Sequence, residues 1–432
     1  MRLLFFILIA LGPVAGSTQS LYFPPTGSST WETTPPETLG WCPERIDSLY
    51  DFLGSRNTKA FIVLKDGRIV LEHYFGTFTQ DSLWYWASAG KTLTSTLVGI
   101  AQEEGFLDID QPTSTYLGTG WTSAPTDKEA LITVRNQLTM TSGLDDGVAD
   151  SDCTDPACLD HLADAGTRWA YHNAPYTILD DVITNSTGQT FSAFFNSRIR
   201  NPIGMDGLWL PIGYNNVYFS KARSMARYGL LALNNMVWNT DTLLHDQIYF
   251  AAATSPSQAL NESYGYLWWL NGQPTFMVPG LQFVLPGQLF PNAPADMFSA
   301  LGKNDQLLNV VPSRGMVVMR MGDPAYVDDL VPIGFNDEVW QHIEWLDCGT
   351  GLPDNRDAGR LGVAPNPCMD RATVSLPQGT YATAFEVFDA TGKRVLSIGP
   401  NGAIDTSLLA PGAYAIKAVT PSGVVSGRFL KL

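Results

Sequence analysis

Apolar positions change their period along this chain, and the changes mark its elements. Between Lys59 and Phe75 two apolar, β-branched runs flank Asp66 and Gly67, which predicts a β-hairpin. After the cluster Trp84, Tyr85 and Trp86 the spacing becomes helical from Ser88 to Glu104, with Gly105 as the stop. Thr133 is suited to N-cap a helix over 133–142 that ends before Gly143. Further helical patterns cover 176–187, closed by Gly188, and 220–235. A second hairpin is expected over 307–320, turning at Ser313, Arg314 and Gly315, and a last helix over 333–346. Strands thus gather near both ends of this region and helices fill its middle. One antiparallel sheet assembled from both ends, with a helical lobe inserted, accounts for the order.

The flanks read differently. Residues 17–40 are rich in Ser, Thr and Pro and are expected to be a linker, as are 349–360, where turn formers and charges mix. From 361 to 432 short strands recur at close spacing with turn signals between them, which predicts a small all-β sandwich. At the start, Arg2 precedes an apolar run from Leu3 to Leu11 and small residues up to Gly16. That is the pattern of a cleavable signal peptide over 1–16. The run is too short for the ~20 residues of a spanning helix, and no later stretch is apolar enough to span. The expectation is a secreted or cell-surface protein with a main domain over 41–348.

Composition narrows the classes. With 45% hydrophobic residues and 12 Trp in 432, the chain is neither disordered nor of low complexity. A net charge of −16 repels phosphate backbones, so no nucleic-acid partner is expected. The acidity belongs to the part before Leu361, because the tail carries six basic and four acidic residues. Cys153 and Cys158 close a short loop that a disulfide can staple. Cys42 and Cys348, at the two ends of the main domain, can pair, which leaves Cys368 over. The five His are scattered without metal-ligand spacing, so neither a metal nor a cofactor is expected.

The candidate chemistry starts at Ser88, Ala89, Gly90 and Lys91. Positions i and i+3 share a helix face, so the Lys91 amine can reach the Ser88 hydroxyl. A hydroxyl is a weak nucleophile until a neighbour takes its proton, and a desolvated Lys can be that base. Taken alone, Ser88 reads more plainly as an N-cap. Tyr171, His172 and Asn173 form a Tyr-x-Asn triplet. A phenol held near Lys⁺ should have its pKa lowered and act as base and acid in turn, although a packed aromatic is the plainer reading. Asn173 can orient Lys91 or a substrate carbonyl, and His172 should point away in an extended segment. Gly302 permits close backbone approach to a ligand, with an N–H there joining that of Ser88 in an oxyanion hole. Lys303 is either an anion-binding group or a solvated strand-end lysine.

The ordered set Ser88-x-x-Lys91, Tyr171-x-Asn173 and Gly302-Lys303 resembles the penicillin-recognising serine hydrolases. The likeness is to the class C β-lactamase group with its esterases, D-aminopeptidases and 6-aminohexanoate-dimer hydrolases. Supporting stretches run from Leu97 to Ala101, Leu107 to Asp110, Leu138 to Leu144 and Ser224 to Leu230. The resemblance implies a two-lobed α/β fold, an antiparallel sheet flanked by helices plus an all-helical lobe. It also implies an acyl-enzyme on Ser88, with Lys91 and Tyr171 moving protons and Asn173, Gly302 and Lys303 around the substrate. The third motif departs from Lys-Thr-Gly or His-Thr-Gly. Gly302-Lys303-Asn304-Asp305-Gln306 is closer to the Gly-x-x-Gly-Gln of nylon-oligomer hydrolases, and Ser-Asp-Asn is absent. Trp84, Trp86, Tyr266, Trp268 and Trp269 either line an acyl pocket or pack in the core.

The tail resembles type A sorting domains of type IX secretion through Val363 to Pro367, Gly392 to Val395 and Pro411 to Tyr414. That implies the type IX machinery as partner of 361–432; a carbohydrate-binding or spacer sandwich is the alternative. Together these features predict a secreted serine hydrolase of a small-molecule ester or amide. β-Lactamase or D-amino-acid peptidase activity at the same site is the alternative, as is a non-catalytic penicillin-binding-like sensor.

Overall fold

The runs on either side of Asp66 and Gly67 pair as strands β1 (Thr58–Lys65) and β2 (Arg68–Tyr74). In the computed structural model, which describes residues 21–326, 332–348, 361–376, 381–382, 384–389, 393–400, 402–420 and 423–432, this hairpin opens a six-stranded sheet. The other strands are β3 (Trp269–Leu270), β4 (Phe298–Gly302), β5 (Gln306–Val311) and β6 (Met316–Gly322). Their order is β2-β1-β6-β5-β4-β3, antiparallel throughout. The first and last strands of this domain's sheet that are long enough to span it therefore meet at the β1–β6 pair, as the clustering of strands at both ends of the domain predicts.

Strands β4, β5 and β6 are buried at every position, which requires cover on both faces. Helix α1 (Pro43–Ser55) packs on β1 and against the final helix of the domain, Ile333–Glu344, with Phe52 stacked on Phe335. The helix Ala222–Leu233 packs on β1, β5 and β6. Gly229 makes that approach possible, because a Cβ there would lie 2.5 Å from Val317. The middle of the chain supplies the second lobe, centred on α2 (Lys91–Glu103), whose residues Lys91 to Ala101 are all buried. The helical pattern over 133–142 condenses to Val134–Leu138, capped as expected by Thr133, which accepts a hydrogen bond from the Asn136 N–H. The pattern over 176–187 resolves into two helices, Asn173–Thr177 and Leu179–Thr187.

The expected signal peptide over 1–16, residues 17–20 of the first expected linker and the expected linker over 349–360 lie outside the described residues. Residues 21–40 are not a linker. Thr33 bridges to Ile69, Tyr22 N–H donates to Asp66 and the Trp31 indole donates to the Gly67 carbonyl. Leu21, Tyr22, Phe23 and Trp31 pack on the domain's core. These apolar residues among the Ser, Thr and Pro were the contrary signal. Two disulfides form, Cys42–Cys348 and Cys153–Cys158, and Cys368 is a buried free thiol.

The chain divides into two compact units, the first ending at Cys348. The second is all-β: one sheet joins Gly362–Ala364, Arg371–Ser375 and Ala403–Asp405, another Arg394–Ile398, Phe385–Phe388, Gly412–Thr420 and Gly423–Lys431. Phe385, Val387, Ile416 and Phe429 are among the residues of its core.

Candidate active site

Between Trp86 and Lys91 the chain makes a constrained turn. Trp86 is fixed by its indole on Ser220 Oγ at 2.8 Å and its N–H on the Tyr218 carbonyl. Ala87 then takes a positive φ of 47°, an uncommon conformation for a residue with a side chain. A 3₁₀ turn, Ala87–Gly90, carries Ser88 into α2. Ser88 makes no capping hydrogen bond, so the N-cap reading does not hold.

Strand β4 runs against this turn. A Cβ on Gly302 would lie 2.3 Å from the Trp86 carbonyl and 3.0 Å from the Ala89 nitrogen. The close approach that Gly302 permits is therefore to the serine-bearing turn, where a ligand had been expected. β4 pairs with β3 only at Phe298 and Ser299, so the backbone at 300–302 keeps an unpaired edge on that side. Beyond it Asn304 and Asp305 both have positive φ, and the buried Gln306 amide holds the turn by donating to the Asn304 carbonyl at 2.7 Å. Arg320, fully buried, donates to the carbonyls of Asn304 and Asp305 at 3.0 Å. Neither supporting residue stood out in the sequence, because each reads there as an ordinary strand position.

Ser88, Tyr171, Asn173, Gly302 and Lys303 line one cavity of about 470 Å³. Lys91 lies at the base of Ser88's turn, 3% exposed, with Nζ 3.9 Å from the Tyr176 ring centre and 5.4 Å from that of Tyr171. Burial pulls the Lys91 ammonium down to about 7, against the charges of Asp152 and Asp180, which hold it up. Asp180, whose Oδ2 accepts from Asn216, is itself pushed up to about 7 by burial.

Tyr171 departs from expectation. Its phenol is raised well above the ordinary range, because desolvation outweighs the hydrogen bond from Ser88 that favours phenolate. A lysine near 7 is too little charged to hold a phenolate beside it, so Tyr171 is a neutral phenol in reach of Ser88. Its ring stacks on Trp269 at 5.8 Å and meets Tyr264 edge-on. Of the five aromatics considered for the pocket, Trp269 lines it. Trp86, Tyr266 and Trp268 are buried in the core, and Trp84 lines a separate groove beside Lys59.

Asn173 spends its amide hydrogen on Asp152 Oδ1 at 2.7 Å, and its own Oδ1 has no partner among the described residues. His172 turns from the cavity, as expected, and is buried with both ring nitrogens unpartnered among the described residues. Lys303 is exposed at the cavity's edge. The sequence reading missed Asp146 and Asp152, both of which line the cavity. Asp152 adjoins Cys153, and that proximity to a stapled loop was the available signal.

A two-lobed domain with an antiparallel sheet, a helical lobe and a cavity between the serine turn and a strand edge is the fold of the β-lactamases and penicillin-binding proteins. A Bacillus anthracis structure named for 6-aminohexanoate-dimer hydrolase superposes with a TM-score of 0.58 at 19% identity, over 76% of this chain and 91% of that one. A penicillin-binding protein homologue from Caulobacter crescentus gives 0.53 at 16% identity, over 71% and 98%. An uncharacterised protein of Alkalihalophilus pseudofirmus is 22% identical over 313 residues, 63% of this chain and 85% of that protein. The chain belongs to the β-lactamase family, whose model matches residues 51–321. Residues 362–431 match the secretion system C-terminal sorting domain.

Proposed function

We propose that this protein is a secreted serine hydrolase that cleaves an ester or amide through an acyl-enzyme on Ser88. One observation carries the reading: Ser88 and the neutral phenol of Tyr171 line one cavity, and the Lys91 amine, brought to about 7 by burial, is packed behind them 5.4 Å from the Tyr171 ring centre. At neutral pH a substantial fraction of Lys91 is free amine and can hold the proton that Ser88 gives up. Ser88 Oγ bonds to the carbonyl carbon, and the oxyanion forms beside the N–H groups of Ser88 and the β4 edge near Lys303. Collapse breaks the bond to the leaving group, which takes a proton through Tyr171. Water then attacks the acyl carbon, the acid departs and Ser88 recovers its hydrogen.

The sorting domain supports export through the type IX machinery, with the N-terminal apolar run as the first signal. Hydrolysis of short-acyl p-nitrophenyl esters by the purified chain tests the reading. Turnover that disappears in Ser88→Ala supports it; turnover unchanged in that variant removes Ser88 from the mechanism.

A further inference from the structure

The three-stranded sheet beside the serine turn has two unlike faces. Its strands are Trp84–Tyr85, Asn215–Ser220 and Leu208–Ile212, with Asn215–Ser220 in the centre. Trp209 pairs with Tyr218, and both are buried against the core. The opposite face is apolar and open. Leu208 is 45% exposed, Leu210 40% and Ile212 53%, at alternate positions of the edge strand. Across from Leu208 and Leu210 stand the half-buried Phe219 and Val217, and Tyr85 follows beyond Phe219. Residues paired across strands share a face, so these six side chains lie together, with Asn215 across from Ile212 as the polar member. None of them carries a charge, in a chain whose net charge is −16.

This face is continuous with the surroundings of the cavity. Its central strand is tied to the serine turn by the hydrogen bond from the Trp86 N–H to the Tyr218 carbonyl. At one end the Tyr85 hydroxyl accepts from Asn304 Nδ2 at 2.6 Å, and Asn304 follows Lys303 on the cavity's edge. At the other end Tyr214, in the turn between the two longer strands, donates to Asp155 Oδ2 at 2.9 Å. Asp155 belongs to the loop closed by the Cys153–Cys158 disulfide, which follows Asp152 on the cavity wall. The apolar face is thus a shelf hung between two sides of the cavity. A further β-strand is poorly received there, because Pro211 deprives the edge strand of an N–H. A hydrocarbon chain needs no such donor; removal of its CH₂ groups from water is enough to hold it on the shelf.

On this basis, and resting on the hydrolase reading above, we infer that the shelf binds an apolar chain of the substrate while the cavity takes the scissile carbonyl. From Leu208 to Ile212 the shelf runs about 13 Å. That length suits a medium- or long-chain ester or amide and is wasted on an acetyl group.

Two ester pairs, kept below their critical micelle concentrations, test this with the full chain. p-Nitrophenyl butyrate and octanoate differ in the acyl chain, and ethyl and hexyl acetate, followed by acid release, differ in the alcohol. In at least one pair wild type should favour the longer chain by roughly tenfold in kcat/KM, carried mainly by KM, as four CH₂ groups covered on one side would give. Leu210→Asp puts a charge in the middle of the shelf and should bring that ratio to within about twofold of one. Turnover of p-nitrophenyl acetate should stay at the wild-type level. A ratio near one in both wild-type pairs, or a preference that survives in Leu210→Asp, overturns the inference while leaving the hydrolase standing. A wild-type dimer that Leu210→Asp converts to monomer, with the ester ratio unmoved, overturns it in favour of a second copy on this face. Loss of binding to phosphatidylcholine vesicles in that variant, again with the ratio unmoved, overturns it in favour of a lipid surface. If Leu210→Asp does not fold, Leu210→Ser should at least about halve the ratio, and an unchanged ratio overturns the inference. Absence of turnover with every ester counts against the hydrolase reading and removes the inference with it.

Discussion

Lys91 Nζ stands 3.9 Å from the ring centre of Tyr176, and among the described residues no carboxylate lies within ion-pair distance of it. An ammonium held there by an aromatic face and two more distant carboxylates pays most of its desolvation cost, which is why it falls to about 7. In the proposed mechanism the neutral amine is the working form of the base. kcat/KM for an uncharged ester should therefore rise as pH passes through about 7 and level off above it, with close to a tenfold loss per unit below pH 6. A rise that begins only above pH 9, where an ordinary lysine titrates, would count against Lys91 as the base.

The same burial has a consequence for stability. The folded-state pKa of Lys91 lies below that of the unfolded chain, which keeps its proton up to the ordinary lysine value of 10.5. Below about pH 7 both states are protonated and the full penalty of burying the charge is present. As pH rises from there toward 10.5 the unfolded state binds the extra proton, so the native state gains relative stability. Lys91→Met should abolish turnover yet raise the melting temperature, more at pH 6 than at pH 9. Calorimetry at both pH values checks this, and a variant less stable at pH 6 would contradict it.

Tyr171→Phe removes the phenol in reach of Ser88 and keeps the ring stacked on Trp269. Turnover should fall by about 10²-fold or more, the low end for a general acid–base group. The midpoint of the pH profile should stay near 7, because Lys91 sets it. Unaltered turnover would take Tyr171 out of the proton path.

Gly302→Ala places a methyl group 2.3 Å from the Trp86 carbonyl, against backbone that cannot rotate away. The serine turn and β4 must separate, at a cost of about 1–3 kcal/mol in stability. Denaturant unfolding should show that loss, together with a fall in kcat larger than the change in KM. Wild-type stability and kinetics in this variant would mean that the two elements do not set each other's position.

Both hairpins, the main helices and the β-rich tail were legible because their apolar periods match what the elements bury. Ser88, Lys91 and Tyr171 were legible as spaced residue types. What the spacing could not carry was environment. The Tyr171 pKa moved opposite to the expected direction because a neighbouring charge was weighed and the desolvation of both groups was not. Asp152 was hidden because its importance lies in what surrounds it: an Asn173 amide and a disulfide that fixes the loop. Residues 21–40 were misread because composition outweighed five apolar side chains, Leu39 among them, that dock on the core. Gln306 and Arg320 act through buried hydrogen bonds to a turn, which no linear pattern announces.

The central claim is a covalent bond on Ser88, and it is tested most directly by locating that bond. The chain is mixed with a fluorophosphonate or a slowly deacylating p-nitrophenyl ester, quenched, digested and mapped by mass spectrometry. The account predicts one stoichiometric adduct on the peptide that contains Ser88, a matching burst of p-nitrophenol with the ester, and neither in Ser88→Ala. An adduct on another residue, or an equal burst from Ser88→Ala, would contradict it.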